Sequence, residues 1–289
     1  MIKYPDIDPV VFSVGSIKIH WYGVMYLLGF LAAWILGLYR SRKIRGLWTA
    51  EQISDLVFYG MIGVLLGGRL GHVIFYDFSR YASNPLEIFK VWEGGMSFHG
   101  ATIGVVIAFI LYARKTGKNL FQVGDLILPT VPIGLGAGRI GNFINGELWG
   151  TVTNVSWAMV FPNDPSGLLR HPSSLYEFLM EGIVLFCILW IYSRKERPRM
   201  AVSGMFLLLY GVFRFSVEFV RAPDAQLGYL AFGWLTMGQV LSIPMIVFGV
   251  AFIIWGYKKY PLVNGINSDD IAYLGKFSKK GKSIKKAAR

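Results

Sequence analysis

The chain contains one cysteine and four histidines among its 289 residues, too few for several kinds of site. A lone cysteine, Cys187, excludes an intramolecular disulfide framework and a cysteine-rich zinc centre. The sequence also lacks an HExxH pair, a GxSxG nucleophile elbow and an acidic metal-binding cluster. We therefore expect no metal ion and no cofactor, and we expect any nucleophile to come from a substrate.

Charged residues are also scarce. They make up 16% of the chain, below the quarter that is typical of soluble domains, whereas 54% of the residues are hydrophobic. The net charge of +12 would be compatible with nucleic-acid binding, but the basic residues lie between apolar segments. The composition therefore predicts a membrane protein whose surroundings are membrane lipids, with no nucleic-acid partner.

Seven segments are apolar over nearly the 20 residues that a helix needs to cross a bilayer. They lie at about residues 22–39, 56–76, 98–113, 121–143, 174–192, 202–220 and 235–257. The fold prediction is an all-α polytopic membrane protein with seven transmembrane helices and a small head segment outside the membrane, formed by residues 1–257. Residues 258–289 are expected to be a disordered basic tail.

Most of the 29 lysines and arginines follow the first, third, fifth and seventh of these spans. Because basic loops stay in the cytoplasm, the N-terminus is predicted outside and the tail inside. The segments outside the membrane are then about 77–97 and 146–171. We expect a short interfacial helix in the first and a small hairpin or extended cap in the second.

Glycines recur at intervals of four inside the spans, which predicts close helix packing. They are Gly63, Gly67 and Gly71, Gly100 and Gly104, and Gly134 and Gly138.

Polar residues concentrate in the stretch GAGRIGNFINGELWG at 136–150, which directly follows an apolar run. With a rise of 1.5 Å per residue, Arg69 and Arg214 lie about 10 Å below the outer ends of their spans. Arg139 and His99 are predicted at the same depth, in the outer half of the bilayer. Three unpaired arginines there would cost about 7–10 kcal/mol.

Few acidic residues are expected near this layer. Glu218 can pair with Arg214 because residues four apart share a helix face, and Glu147 is the natural partner of Arg139 or Arg69. Some positive charge should remain unmatched and should bind a phosphate, which phospholipid headgroups provide.

Other interpretations of these residues stay open at this point. The arginines can form internal salt bridges that only fix helix packing, or they can line an anion transporter or channel. His99 can transfer a proton or be structural. GAGRIG matches the dinucleotide string GxGxxG but follows no predicted strand, which argues against a nucleotide site.

Several motifs together resemble those of the prolipoprotein diacylglyceryl transferase family, bacterial inner-membrane enzymes. They are GRIGNFINGELWG at 138–150, HWYGVMY at 20–26, GGRLGHVIFY at 67–76, VWEGGMSFHG at 91–100, RHPSSLYE at 170–177, LYGVFRFSVEFVRAPDAQ at 209–226 and MGQVLSIPM at 237–245. The similarity extends to about Tyr257 and does not include the basic tail.

The resemblance implies a multi-pass protein of the bacterial inner membrane that moves a diacylglyceryl group from phosphatidylglycerol to the lipobox cysteine thiol of a prolipoprotein. It also implies seven transmembrane helices with a small periplasmic head, so the segments 77–97 and 146–171 would lie in the periplasm. Glycerol phosphate would be released. Arg139 and Arg214 match the family's essential arginines, and His99 matches a histidine implicated in catalysis. Other functionally important positions of the family are matched by Tyr22, Asn142, Glu147, Gly150, Tyr210, Glu218 and Arg221. Arg69 joins the predicted substrate-binding residues because of its depth.

A mechanism follows from these matches. The thiolate would attack the glyceryl carbon, and Arg139 and Arg214 would hold the phosphodiester and stabilise the leaving group. A base should help to form the thiolate, because a free cysteine has a pKa of about 8.5. His99 and Glu147 are both candidates for this base.

Overall fold

The computed structural model describes residues 2–5, 7–15, 17–43, 47–90, 94–223, 227–263, 266–267 and 270–271. Within this part of the chain, six helices are long and apolar enough to cross a membrane. They are Trp21–Lys43, Ala50–Phe75, Phe98–Thr116, Leu120–Ile144, Ser173–Tyr192 and Met237–Lys259. The structure therefore supports the predicted multi-pass helical architecture.

The α-helices are α1 (Trp21–Lys43), α2 (Ala50–Phe75), α3 (Phe78–Ser83), α4 (Phe98–Thr116), α5 (Leu120–Ile127), α6 (Val131–Ile144), α7 (Ser173–Glu177), α8 (Leu185–Tyr192), α9 (Ala201–Val217) and α10 (Met237–Lys259). The strands are β1 (Val10–Val14), β2 (Ile17–His20), β3 (Leu262–Val263) and β4 (Ile266–Asn267). The short 3₁₀ segments are Pro85–Phe89 and Leu128–Thr130, and Phe178–Val184 is a π-helix.

The predicted sixth span forms α9, which is apolar but has only 17 residues. At 1.5 Å per residue it rises about 26 Å, slightly less than the ~30 Å hydrocarbon core. It begins after Met200, whose φ of 74° lies in the left-handed region. A seventh crossing therefore stays a prediction.

The predicted fourth span is helical despite its two prolines. It consists of α5, the 3₁₀ segment Leu128–Thr130 and α6, which together form the candidate span Leu120–Ile144. Pro129 and Pro132 each lie in the first turn of the segment that contains them. A missing N–H is tolerated there because the first turn has no intrahelical partner for it.

The chain divides into two compact units, which are described separately. The larger unit comprises Met1–Ala33 and Ile127–Arg289, and the smaller unit comprises Trp34–Leu126. In the smaller unit α2 packs along α4 through the predicted glycines. A Cβ atom on Gly67 would lie 2.4 Å from the carbonyl oxygen of Gly100, and one on Gly104 would lie 2.2 Å from that of Gly63. The predicted close helix packing is thus confirmed for this pair.

In the larger unit, α9 and α10 are in similarly close contact, since a Cβ on Gly249 would lie 2.5 Å from the amide nitrogen of Leu208. The α6 helix approaches the π-helix through Gly136 and Gly182. A buried apolar cluster lies beside these contacts and comprises Leu185, Leu189, Phe206 and Tyr210.

The chain between α6 and α7 folds over a second buried cluster of Phe143, Met159 and Phe161, against which Tyr4 packs. The predicted hairpin or extended cap of this segment takes the extended form. Its pairing consists of isolated bridges from Arg170 to Val152 and to Met159. The β1–β2 hairpin near the N-terminus is antiparallel and had not been predicted.

The other predicted periplasmic segment, about 77–97, contains α3 and the 3₁₀ segment Pro85–Phe89, and its residues 91–93 lie outside the described residues. For the tail, residues 272–289 also lie outside them. The expectation of disorder from Lys258 onward does not hold for the first part, because β3 pairs with β4 and Arg199 forms a 2.5 Å ion pair with Asp270.

We predict that Gly67→Ala lowers the free energy of unfolding by about 1–3 kcal/mol, because overpacking would force α2 away from α4. The measurement is reversible unfolding of the purified protein in detergent. Gly60→Ala in the same helix is the control, since its Cβ would meet only the Phe109 ring edge at 3.4 Å. Equal destabilisation by both variants would contradict the packing role of Gly67.

Candidate active site

Six charged side chains of the larger unit are connected by ion pairs. We call this network the arginine–glutamate cluster. Its members are Arg139, Arg214, Arg221, Glu177, Glu181 and Glu218. They come from α6, from α7 and the following π-helix, and from the end of α9 and the residues after it.

Arg139 of α6 contacts two carboxylates at once. Its Nε atom lies 2.7 Å from Oε2 of Glu177, and its Nη2 atom donates to Oε2 of Glu181 at 3.2 Å. The two glutamates are four residues apart, so the end of α7 and the π-helix present both to the same guanidinium. The orientation of Arg139 is thereby fixed on two sides.

Arg214 of α9 meets the same two glutamates and a third. Its Nη1 atom lies 3.3 Å from Oε2 of Glu177 and 4.0 Å from Oε1 of Glu181. Its Nη2 atom pairs with Oε1 of Glu218 one helical turn along the chain. The predicted pairing of Arg214 with Glu218 is confirmed. Because Arg139 and Arg214 share Glu177 Oε2, their guanidinium groups lie side by side.

Arg221 closes the cluster at the end of α9. Its Nη1 atom donates to Glu218 Oε1 at 3.2 Å, and its Nε atom lies 3.6 Å from Oε1 of Glu177. The hydroxyl of Thr236 donates to the other oxygen of Glu218. Glu218 therefore links α9 to the start of α10, where a Cβ on Gly238 would lie 2.6 Å from the Glu218 carboxyl carbon.

Burial differs between the two signs of charge. The side chains of Glu177, Glu181 and Glu218 are at most 1% exposed, whereas those of Arg139 and Arg214 are 17% and 15% exposed. The expectation that positive charge stays unmatched is wrong for this cluster, because three carboxylates face three guanidinium groups. The most accessible side chains of the cluster nevertheless belong to Arg139 and Arg214, and the carboxylates lie behind them.

Glu147 forms a separate polar group next to α6. Its Oε1 atom accepts hydrogen bonds from the side-chain amides of Asn142 at 2.9 Å and Asn145 at 3.1 Å. The expected ion pair with Arg139 is replaced by these amide contacts, because Glu177 and Glu181 already bind Arg139. Tyr22 lies against Gly141 and is close enough to interact electrostatically with Glu147 and Arg139.

Two further predicted residues lie at the cluster. Tyr210 is buried on α9 and interacts electrostatically with Glu181, Arg139 and Arg214. Gly150 pairs through its backbone with Arg221, and a Cβ there would lie 2.4 Å from the carbonyl oxygen of Val220. Gly150 thus lets the segment after α6 approach the end of α9.

Arg69 and His99 belong to the smaller unit. Arg69 is buried, and its guanidinium donates to the backbone carbonyl oxygens of Glu87, Ile88, Lys90, Gly94 and Gly95. His99 is exposed in the first turn of α4, which the side chain of Ser97 caps. The predicted common layer of these two residues with Arg139 and Arg214 stays a prediction.

Comparison with known proteins decides the family. The model of the family described as prolipoprotein diacylglyceryl transferase matches residues 9–255. The chain is 60% identical over 262 residues to a protein of Ectopseudomonas mendocina (strain ymp), covering 91% of this chain and 98% of that one. It is 58% identical over 258 residues to a protein of Marinomonas sp. (strain MWYL1), covering 89% and 96%. Both relatives are named phosphatidylglycerol–prolipoprotein diacylglyceryl transferase.

This chain belongs to the prolipoprotein diacylglyceryl transferase family. The larger unit of this family member brings Arg139, Arg214, Tyr210, Glu218 and Arg221 together, and their roles in binding and catalysis stay predictions.

The sequence interpretation missed Glu177 and Glu181. Both lie in the fifth span of this transferase-family chain, where ionisable residues are costly and usually functional. That rule could have identified them, since they are the only acidic residues between residues 165 and 195 of the sequence.

The segment after α6 is held by a second ion pair. Arg170 Nε donates to Asp164 Oδ2 at 2.6 Å, and the Asp164 side chain is 3% exposed. The hydrogen bond from Arg170 is the main reason that the pKa of Asp164 is lowered to about 2. Arg170 also bonds through its backbone to Met159, so the pair fixes the bridges near Gly150.

We predict that Asp164→Asn lowers the melting temperature by a few degrees at pH 7 and by less as the medium becomes acidic. The pKa of Asp164 is depressed in the folded state, so its stabilisation is present above the unfolded value of about 3.9 and is lost as pH falls towards 2. The measurement is thermal unfolding between pH 7 and pH 3. Asp55→Asn, which breaks an exposed 3.7 Å pair with Lys115, is the control and should shift the temperature little. A pH-independent effect of Asp164→Asn would contradict this prediction.

Proposed function

We propose that this chain transfers the diacylglyceryl group of phosphatidylglycerol to the thiol of the lipobox cysteine in a prolipoprotein, releasing glycerol phosphate. The observation that carries the proposal is the pair of partly exposed guanidinium groups, Arg139 and Arg214, side by side in a chain of this family. The names of the relatives support the same reaction, the first step of lipoprotein maturation.

The two guanidinium groups suit a phosphodiester. Guanidinium binds phosphate oxygens bidentately, and Arg139 and Arg214 each keep part of the side chain accessible. Around them, the polar groups that would orient the glycerol headgroup are Tyr22, Asn142, Glu147 and Tyr210. Glu218, Arg221 and Gly150 would shape the site by holding the end of α9 in place.

Arg69 has a different place in this proposal. Its guanidinium already donates to five carbonyl oxygens, which leaves little capacity for a phosphate. Those carbonyls belong to the segment just before Ser97 and His99. We therefore assign Arg69 a role in holding the segment that leads to His99, in place of the substrate contact that its depth suggested.

The chemical step is a displacement at carbon. The cysteine thiolate attacks the glyceryl carbon that carries the phosphate oxygen, forming a C–S bond as the C–O bond breaks. The leaving glycerol phosphate gains the electron pair, and Arg139 and Arg214 stabilise its added negative charge. The thiol proton passes to a base. We assign this role to His99, which is exposed and matches the histidine implicated in catalysis in the family, whereas two amides already occupy Oε1 of Glu147.

The topology proposed with this function has seven crossings of the bacterial inner membrane, with α9 as the sixth. The N-terminus and the segments 77–97 and 146–171 would lie in the periplasm, and the basic tail in the cytoplasm. The positive-inside pattern of the sequence supports this orientation. The lipobox cysteine and the cluster would then meet at the outer leaflet.

The anion transporter or channel considered from the sequence gains no support from the relatives described above, which are named as transferases. Liposome flux measurements would detect such a protein, whereas thiol-dependent release of glycerol phosphate identifies the transferase.

We predict that Arg139→Ala and Arg214→Ala each reduce transfer at least 100-fold, since loss of one charge-stabilising donor costs about 10²–10³ in rate. Transfer of labelled diacylglyceryl to a lipobox peptide by purified protein is the measurement, with the peptide's cysteine changed to serine as a substrate control. Arg42→Ala, at an exposed position near the end of α1, should retain native activity. Full activity of either site variant would rule out the arginine assignment.

We predict that His99→Gln slows transfer about 10²–10⁴-fold at neutral pH, the usual contribution of a positioned base. Raising the pH should restore part of the rate, because more of the thiol ionises without help as the pH approaches 8.5. The rate of His99→Gln relative to the native protein is measured from pH 6.5 to pH 9. An unchanged rate, or a defect that stays constant with pH, would remove His99 as the base and favour Glu147.

A further inference from the structure

The arginine–glutamate cluster is formally neutral before any substrate binds, with three guanidinium groups and three carboxylates. A phosphodiester adds one negative charge to it. In a buried site of low dielectric constant, uncompensated charge is costly, so binding is most favourable when a positive charge enters together with the anion. No further cationic side chain of the cluster is available, but a carboxylate can take up a proton.

Glu177 and Glu181 are the carboxylates best placed to do so. Both are at most 1% exposed, and both oxygens of Glu177 and Oε1 of Glu181 lack a hydrogen bond of good geometry from the described residues. Glu218, in contrast, accepts hydrogen bonds from Arg221 and Thr236. Glu177 and Glu181 thus depend for stabilisation on Arg139 and Arg214, the groups that a phosphate would occupy.

The backbone at this position is also unusual. Phe178–Val184 is a π-helix that begins directly after Glu177 and contains Glu181. π-helical turns are rare and are frequent at functional sites. The distortion lies where the helix passes Gly136 of α6, one turn before Arg139, so the two glutamates and the arginine are brought together by close backbone contact.

We propose that Glu177 and Glu181 are positioning residues which hold Arg139 and Arg214 together and take up one proton when a phosphodiester binds to the two arginines. This inference rests on the proposed function, because it takes phosphatidylglycerol as the anion. The proton comes from solvent and no covalent bond changes. After proton uptake, the ion pairs between the two glutamates and the two arginines weaken, and the phosphate takes the place of the lost carboxylate charge. The net charge of the cluster returns to zero.

Charged and titratable groups face this pair from several elements. Arg139 faces it from α6, Tyr210 and Arg214 face it from α9, and Arg221 contacts it from the residues after α9. Glu218 adds a negative charge through its pairs with Arg214 and Arg221. When the anion binds, its negative charge offsets the positive charge of Arg139 and Arg214 that stabilises the two carboxylates. Proton uptake by the carboxylates is thereby promoted.

The test is calorimetric titration of the full-length protein in detergent with dihexanoyl-phosphatidylglycerol, repeated in two buffers with different heats of ionisation. The difference in apparent binding heat gives the number of protons taken up per lipid bound. We expect about one proton for the native protein, and a dissociation constant that rises up to about tenfold per pH unit as the pH increases. The zwitterionic dihexanoyl-phosphatidylcholine should cause no uptake.

The Glu181→Gln variant should still bind the charged lipid, but with proton uptake well below the native value. Glu177→Gln is the second variant, and the same result is expected for it. Glu51→Gln, at an exposed position in the first turn of α2, is the matched control and should keep the native uptake. A change in melting temperature alone would not alter proton stoichiometry, so the readout separates this role from a purely structural one.

Lipid binding without proton uptake by the native protein would overturn the inference and leave the proposed function intact. Proton uptake equal to the native value in both Gln variants would have the same consequence. Absence of lipid binding by the native protein would overturn both. The native measurement decides the question even if a variant fails to fold.

Discussion

Mutual neutralisation of six charges, three buried carboxylates and three largely buried guanidinium groups, is the constraint on which the larger unit depends. A guanidinium or carboxylate in the bilayer interior costs about 2.5–3.5 kcal/mol even on the lowest scales, so no member of the cluster can stand alone. Removing one partner of such a pair typically costs about 3–5 kcal/mol, because the other charge stays buried without compensation. The α6, α9 and π-helix segments must therefore approach one another closely wherever the charges meet.

Small residues make that approach possible. A Cβ on Gly136 would lie 3.0 Å from Cα of Gly182, so a larger side chain at either position would separate α6 from the π-helix. Gly238 has the same function beside Glu218, and Gly150 has it beside the backbone that follows α9. The glycines around the cluster thus allow its ion pairs to form, because ion pairs of about 3 Å between these helices require close contact of the helix backbones.

The sequence predicted the parts of this arrangement that depend on local pattern. Hydropathy located the helices, the four-residue glycine interval predicted the packing of α2 on α4, and the helix period predicted the pairing of Arg214 with Glu218. It did not predict that Glu177 and Glu181 bind Arg139, because partners on different helices have no fixed spacing along the chain. The predicted pairing of Glu147 with Arg139 or Arg69 was wrong for the same reason, because tertiary contacts pair Arg139 with Glu177 and Glu181 of the fifth span.

Comparison of two arginines indicates what turns a buried charge into a binding group. Arg69 is enclosed, and neutral backbone carbonyls occupy its donors. Arg139 is held by the carboxylates of Glu177 and Glu181 and keeps 17% of its side chain exposed. An incoming phosphate can compete with a carboxylate for a guanidinium, since both are anions with similar bidentate geometry, but it gains little from a guanidinium already saturated by carbonyls. The asymmetry of burial within the arginine–glutamate cluster, with acids inside and arginines towards the accessible side, is therefore the feature that suits it to an anionic headgroup.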